Sequence, residues 1–208
     1  MPEVLTIDAG GDLNRSYLVP SPREGEAWCV DPSYAADQVL ALCGTNKWKL
    51  TDILLTHTHG DHVATAPELT AATGARLWVH PREMSVPRGA ALLPPGGGPV
   101  PGLSGVTFLE TPGHTPGGVC YVVGPDLFTG DVLFVDWVGR CDFPGGDAEA
   151  LFESLAKLRS LAPSLVVRPG HHYGCQESRR LGDEIRLNKF LACSDFAAFL
   201  RLLPELAE

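Results

Sequence analysis

The run His57-Thr58-His59-Gly60-Asp61-His62 constrains this chain more than any other feature. It follows the short β-rich run 52–55, so the motif stands at the end of a strand. Side chains two apart on a strand point to one face, which brings His57 and His59 together. Asp61 and His62 follow where the chain leaves the strand, so all four converge on one pocket. Three later runs repeat one local pattern: His114 in Thr-Pro-Gly-His-Thr-Pro-Gly, Asp131 in Thr-Gly-Asp, and His171 in Pro-Gly-His. Each follows an apolar run and lies beside Gly or Pro, so each projects from a tightly held strand-end loop. A lone histidine at a strand end is usually an exposed turn residue, but five of the seven histidines fall in these runs. Five imidazoles and two carboxylates on strand-end loops make two adjacent metal sites. That donor set suits zinc, and also iron or manganese. His80, in Val-His-Pro, reads as structural. His172 reads as part of the pocket rim, because adjacent residues point apart.

The rest of the chain supplies the frame. Apolar runs bounded by turn residues predict strands over 5–7, 17–19, 28–30, 76–79, 106–110, 119–123, 127–129 and 165–167, besides 52–55. Helices are expected over 35–42, 67–73, 147–161, 178–191 and 195–203. The third is the clearest: Ala148, Leu151, Phe152, Leu155 and Leu158 share one face, and Asp147 is placed to cap it. Residues 87–105 are rich in Gly and Pro and read as a loop forming one wall of the site. The strands come in two groups, each followed by helices. That predicts two β layers covered by helices, an α/β sandwich, in a single domain over 1–208 with short C-terminal helices.

Composition limits the partners. A formal charge of −9 argues against nucleic acid or an anionic membrane, and leaves a small molecule as the expected partner. No run of roughly 20 apolar residues is present to span a membrane. The opening MPEVLTIDAGG lacks a basic region followed by an apolar one, so the expected location is cytoplasmic. The six cysteines form no C-x-x-C pair and are expected to be free thiols.

Taken in order, T-H-x-H-x-D-H, G-H-T-P-G, T-G-D and P-G-H resemble the metallo-β-lactamase superfamily over nearly the whole chain. Phe128-Thr129-Gly130-Asp131, Gly139-Arg140-Cys141-Asp142, Pro144-Gly145-Gly146-Asp147 and the tail Leu181…Glu184…Asn188 resemble its glyoxalase II (hydroxyacylglutathione hydrolase) branch. The resemblance implies an αββα sandwich, two mixed sheets flanked by helices, with the site at the edge between them. It implies one metal held by His57, His59 and His114, a second by Asp61, His62 and His171, and Asp131 bridging both. It further implies thioester hydrolysis by a hydroxide held between two divalent metals, zinc first, with Asp61 orienting that hydroxide. Thr56 and Thr129 are candidates for fixing imidazole tautomers. Arg140, Tyr173 and His172 are candidates for touching substrate. Cys141 departs from the usual Thr, His172 from Gly or Asp, and Cys175-Gln176 from a small polar stretch. The sequence also ends without the long helical extension with which full-length glyoxalase II enzymes grip glutathione. Two other chemistries on this scaffold remain open. One is a persulfide dioxygenase with a single iron on His57, His114 and Asp131, which shares T-P-G-H-T-P-G and G-R-x-D-F. The other is a β-lactamase-type hydrolase acting on a cyclic amide.

Overall fold

Alternation along the strands sorts the apolar side chains into three layers. A computed structural model describes residues 3–206; the extreme ends of the expected 1–208 domain lie outside the described residues. The first sheet holds β1 (Leu5–Asp8), β2 (Arg15–Pro20), β3 (Glu26–Val30), β4 (Lys49–Leu54), β5 (Arg76–Val79) and β6 (Ala91–Leu92), side by side in chain order. Its first three strands are antiparallel and the rest parallel. The second sheet holds β7 (Gly98–Pro99), β8 (Val106–Glu110), β9 (Val119–Val123), β10 (Asp126–Gly130), β11 (Val166–Pro169) and β12 (Arg179–Arg180), again in chain order. Only β10 and β11 run parallel there.

Odd and even residues of a strand face opposite sides. On β2 and β3, Tyr17, Val19, Trp28 and Val30 point between the sheets, where they meet Phe108, Val119, Tyr121 and Phe128. Their neighbours Leu18, Ala27 and Cys29 point outward, onto α1 (Ala36–Asn46) and α3 (Ala66–Thr73), against Val39 and Leu69. The short α2 (Gly60–Val63) lies between β4 and α3. The outer face of the second sheet, Cys120, Leu127 and Val167, packs on α4 (Ala148–Arg159), α5 (Leu181–Leu187) and α6 (Phe196–Leu202) through Leu151, Leu155, Leu181 and Phe199. The result is the expected αββα sandwich. All six cysteines are unpaired, and no described helix is long and apolar enough to cross a membrane.

Two expectations are corrected. Residues 87–105 are not wholly a loop: β6 extends one sheet and β7 the other, so this segment passes between the sheets at their far edges. It does not wall the site either, since none of its residues lines the cavity described below. The expected helix 178–191 is instead β12 followed by α5, which stops at Leu187. Asn188 ends it. Its Oδ1 accepts from the N–H groups of Phe190 and Leu191, while its Nδ2 donates to Trp137 O and Glu184. A buried amide satisfied by backbone in this way turns the chain where apolar periodicity would carry the helix on.

The topology aims functional loops at one edge. β8 and β10 point the same way, because each is antiparallel to β9, and β11 runs parallel to β10. The sheets are tied at that edge: Val119 N donates to Thr56 O at 2.9 Å, Arg15 N to Gly170 O at 2.8 Å, and Tyr17 Oη to Pro169 O at 2.7 Å. The N-terminus of α4 is held there too. Asp147 Oδ1 accepts from Glu149 N and Ala150 N, and Asp147 N donates to Gly113 O. Asp147→Ala is expected to cost about 1 kcal/mol and lower the melting temperature by about 2–4 °C, read by thermal denaturation.

Candidate metal centre

The five imidazoles and two carboxylates singled out in the sequence meet at this edge. His57 and His59 follow β4, and Asp61 and His62 lie on α2. His114 follows β8, Asp131 follows β10 directly, and His171 follows β11. Ligand atoms of His57, His59 and His114 lie within 4.8 Å of one another, and so do those of Asp61, His62 and His171. Asp131 stands between the two trios. Its Oδ2 is 3.5 Å from His114 Nε2 and 3.3 Å from His171 Nε2, and its Oδ1 is 3.3 Å from His62 Nε2. Glycine permits this crowding. A Cβ on Gly170 would lie 2.3 Å from Asp131 Oδ1, and one on Gly130, whose φ is +48°, would lie 2.3 Å from Thr56 Oγ1.

Four of the imidazoles have Nδ1 engaged by the protein, which assigns the proton there and leaves the Nε2 lone pair facing the centre. Asp31 Oδ2 accepts from Thr56 Oγ1 at 2.6 Å, so that hydroxyl oxygen in turn accepts from His57 Nδ1 at 3.0 Å. His62 Nδ1 donates to the same Asp31 oxygen at 3.2 Å. His114 Nδ1 donates to Arg140 O and His171 Nδ1 to Asp12 O. His59 differs: its Nδ1 faces inward, 2.9 Å from His114 Nε2. Asp61 Oδ2 accepts from Asn14 Nδ2 at 2.9 Å. Of the two threonines proposed to set tautomers, Thr56 touches an imidazole. Thr129 instead donates to Leu133 O, bracing the turn that carries Asp131.

The electrostatics fit a cation. Burial pushes the His57 imidazolium well below its ordinary pKa, and His62 beside it adds to the effect. Burial also opposes charge on His62, Asp131 and His171, but their mutual contacts win. The pKa of His62 is raised well above normal by Asp131 and Asp31, that of His171 rises to about 10 through Asp131 and Asp61, and that of Asp131 is held well below the carboxylate range. Burial works against Asp61 as well, yet His171 and His62 lower it. Buried carboxylates here demand positive charge, which protons on imidazole or metal ions can supply. His57 Nε2 is buried without a hydrogen-bond partner among the described residues, and Asp131 Oδ1 faces His62 Nε2 at 3.3 Å. A buried, inward lone pair without a partner, beside an inward buried carboxylate, is what a metal ligand set presents before binding. Asp31 also lies within reach of His57 and His62. Its oxygens are taken by Thr56 and His62 Nδ1, so it orients the imidazoles of His57 and His62 from behind.

A cavity of about 680 Å³ opens onto His59, Asp61, His114, Asp131 and His171. Its walls are Phe134, Trp137, Val138, Phe143 and Tyr173. Arg140 lines it, but its guanidinium makes a two-pronged pair with Asp142 at 2.9 and 2.7 Å and stacks over Phe143. Tyr173 stacks on His171 with ring centroids 4.8 Å apart and donates its hydroxyl to Asp12 at 2.6 Å. His172 is not among the lining residues; its Nδ1 lies 2.9 Å from Arg15 Nη2. His80 is buried against Glu110, away from the cavity. Asp31, Asn14 and Asp12 escape the sequence reading. Asp31 carries the one available signal, an acid directly after an apolar run like Asp131, although Asp-Pro reads first as a strand terminator.

Known proteins resemble this chain in sequence and fold. The sequence profile of the metallo-beta-lactamase superfamily matches residues 4–171. The relative named "Probable polyketide biosynthesis zinc-dependent hydrolase BaeB" from Bacillus velezensis is 31% identical over 84% of this chain and 80% of its own length. A hydroxyacylglutathione hydrolase from Cereibacter sphaeroides is 37% identical over 85% of this chain and 69% of its own length. The crystal structure of ETHE1 from Myxococcus xanthus superposes with a TM-score of 0.86 at 26% identity, covering 100% of this chain and 92% of that one. With two mixed sheets, the ligand cluster at their shared edge and a profile match across most of its length, the chain belongs to the metallo-β-lactamase superfamily of metal-dependent hydrolases.

Proposed function

We propose that the chain is a thioester hydrolase of glyoxalase II type, acting on a small thiol-derived acyl compound with two zinc ions. The observation that carries this reading is the pair of complete trios sharing Asp131 at the head of one aromatic-walled cavity. His57, His59 and His114 would hold one metal, Asp61, His62 and His171 the other, with Asp131 between them. Bound there, two divalent ions would bring the pKa of a shared water towards neutrality and polarise an acyl carbonyl. The imidazole and carboxylate donors suit zinc, and a relative bears the name of a zinc-dependent hydrolase.

The chain's own residues account for the rest. Asp61, with a third of its side chain exposed, opens to the cavity while Asn14 holds one of its oxygens. It is placed to accept a hydrogen bond from the attacking water. Phe134, Trp137 and Phe143 present apolar surface to the substrate and displace water from it. Tyr173 is a poor proton donor to a leaving group: burial raises its pKa, Asp12 raises it further, and its hydroxyl is already committed. A thiolate leaves without a proton, so a thioester fits a site lacking a ready acid.

Zinc-loaded protein is expected to hydrolyse S-lactoylglutathione. His59→Ala should lose more than the roughly 10–100-fold that outer partners of a metal site typically contribute. Turnover no higher than in that variant would overturn the thioester reading, and turnover of nitrocefin alone would replace it with a cyclic amide hydrolase. Elemental analysis should find two metals per chain. About one iron, with oxygen uptake on glutathione persulfide, would move the assignment to a dioxygenase. Asp31→Asn should weaken metal retention roughly 10–100-fold by chelator competition, because both imidazoles that depend on its carboxylate lose their orientation.

A further inference from the structure

Glu83 has no part in the chemistry above, yet it is 6% exposed and its carboxylate accepts four hydrogen bonds. Oε2 takes Thr58 N at 2.8 Å and Thr58 Oγ1 at 2.6 Å. Oε1 takes Thr115 Oγ1 at 2.5 Å and Gly117 N at 3.1 Å. Thr58 stands between His57 and His59, and Thr115 follows His114. One buried carboxylate therefore spans two loops that leave different sheets, one after β4 and one after β8, and these loops carry all three imidazoles of the first trio. The close approach is built in: a Cβ on Gly117 would lie 2.5 Å from Glu83 N.

We propose that Glu83 is the positioning residue of the first metal trio, holding both loops that carry it, whereas it touches only one of the loops that carry the second. The proposal rests on the two-metal reading above. Hydrogen bonds to an ionised acceptor are short and strong, and here two fix each loop. Removing the charge leaves more donors on the two loops than acceptors to meet them, so the loops separate or rotate. Asp61 and His62 follow Thr58 on the same run, but the second trio also has holds of its own. His62 is held by Asp31, Asp61 by Asn14, and His171 by the carbonyl of Asp12. Gln in place of Glu83 matches the side chain in shape but offers one acceptor oxygen, and its amide would face donors.

The test uses the full chain loaded with zinc and a chromophoric chelator that reports metal release. In Glu83→Gln, one metal per chain is expected to bind roughly 10–100-fold more weakly, the usual effect of an outer partner, while the other keeps its wild-type retention. Asn14→Ala is expected to give the reciprocal pattern, and the double variant to loosen both. A purely structural role would lower the melting temperature and loosen both metals alike. Equal loosening of both, or wild-type retention of both, overturns the assignment. If Glu83→Gln does not fold, Thr115→Val removes a single donor from the same clamp and is measured identically. If the wild type holds only one metal, the two-metal reading fails, and Glu83 is then judged by whether its variant loosens that one.

Discussion

The carboxylate of Asp31 lies 2% exposed beneath the imidazoles of His57 and His62, and both depend on it. It accepts from Thr56 N and Thr56 Oγ1, and it accepts from His62 Nδ1 directly. Through Thr56 it sets the proton on His57 Nδ1. One imidazole of each candidate trio is thus aimed by a single buried charge. Such a group is costly to bury unless its hydrogen bonds are made. Asp31 makes them with the backbone and side chain of the segment that enters the histidine run. It sits at the carboxyl end of β3, beside the carboxyl end of β4, because those strands are parallel and in register from Trp28–Asp52 to Val30–Leu54.

That dependence explains why the sandwich matters to the chemistry. The candidate ligands come from both sheets, and their mutual distances hold only while the two sheet edges stay together. The apolar layer of Trp28, Leu54, Phe108, Tyr121 and Phe128 keeps the sheets face to face. The cross-sheet hydrogen bonds of Thr56, Pro169 and Gly170 fix the edge itself. Glycines at 130 and 170 then let backbone and side chain approach more closely than any Cβ would allow. Packing supplies the rigidity, and buried polar contacts supply the aim.

The cavity beyond the ligands has a different character. Its walls are aromatic, and Arg140 is already paired with Asp142 and stacked on Phe143. Lys189 sits over the ring of Trp137, 4.7 Å from its centroid. The walls offer shape and apolar contact, and the Arg140 guanidinium is already committed to its two-pronged pair. The backbone of Arg140 has a separate task, since its carbonyl orients His114.

Local chemistry in the sequence determined the strands, most helix positions, the layer arrangement and the identity of the converging groups. Period-2 alternation records which face a strand buries, and Gly or Pro beside His114, Asp131 and His171 records a tight strand-end turn. Asp147 announces its helix because a cap acts within a few residues. Only the tertiary structure decided the rest. Nothing local links Asn14 to Asp61, Asp31 to Thr56 and His62, or Glu83 to Thr58 and Thr115. Helix 178–191 gave way at Asn188 because its amide found Trp137 O, 51 residues away. Periodicity and turn chemistry are properties of neighbours along the chain. Hydrogen bonds between loops depend on strand register and sheet packing, which exist only once the whole chain has folded.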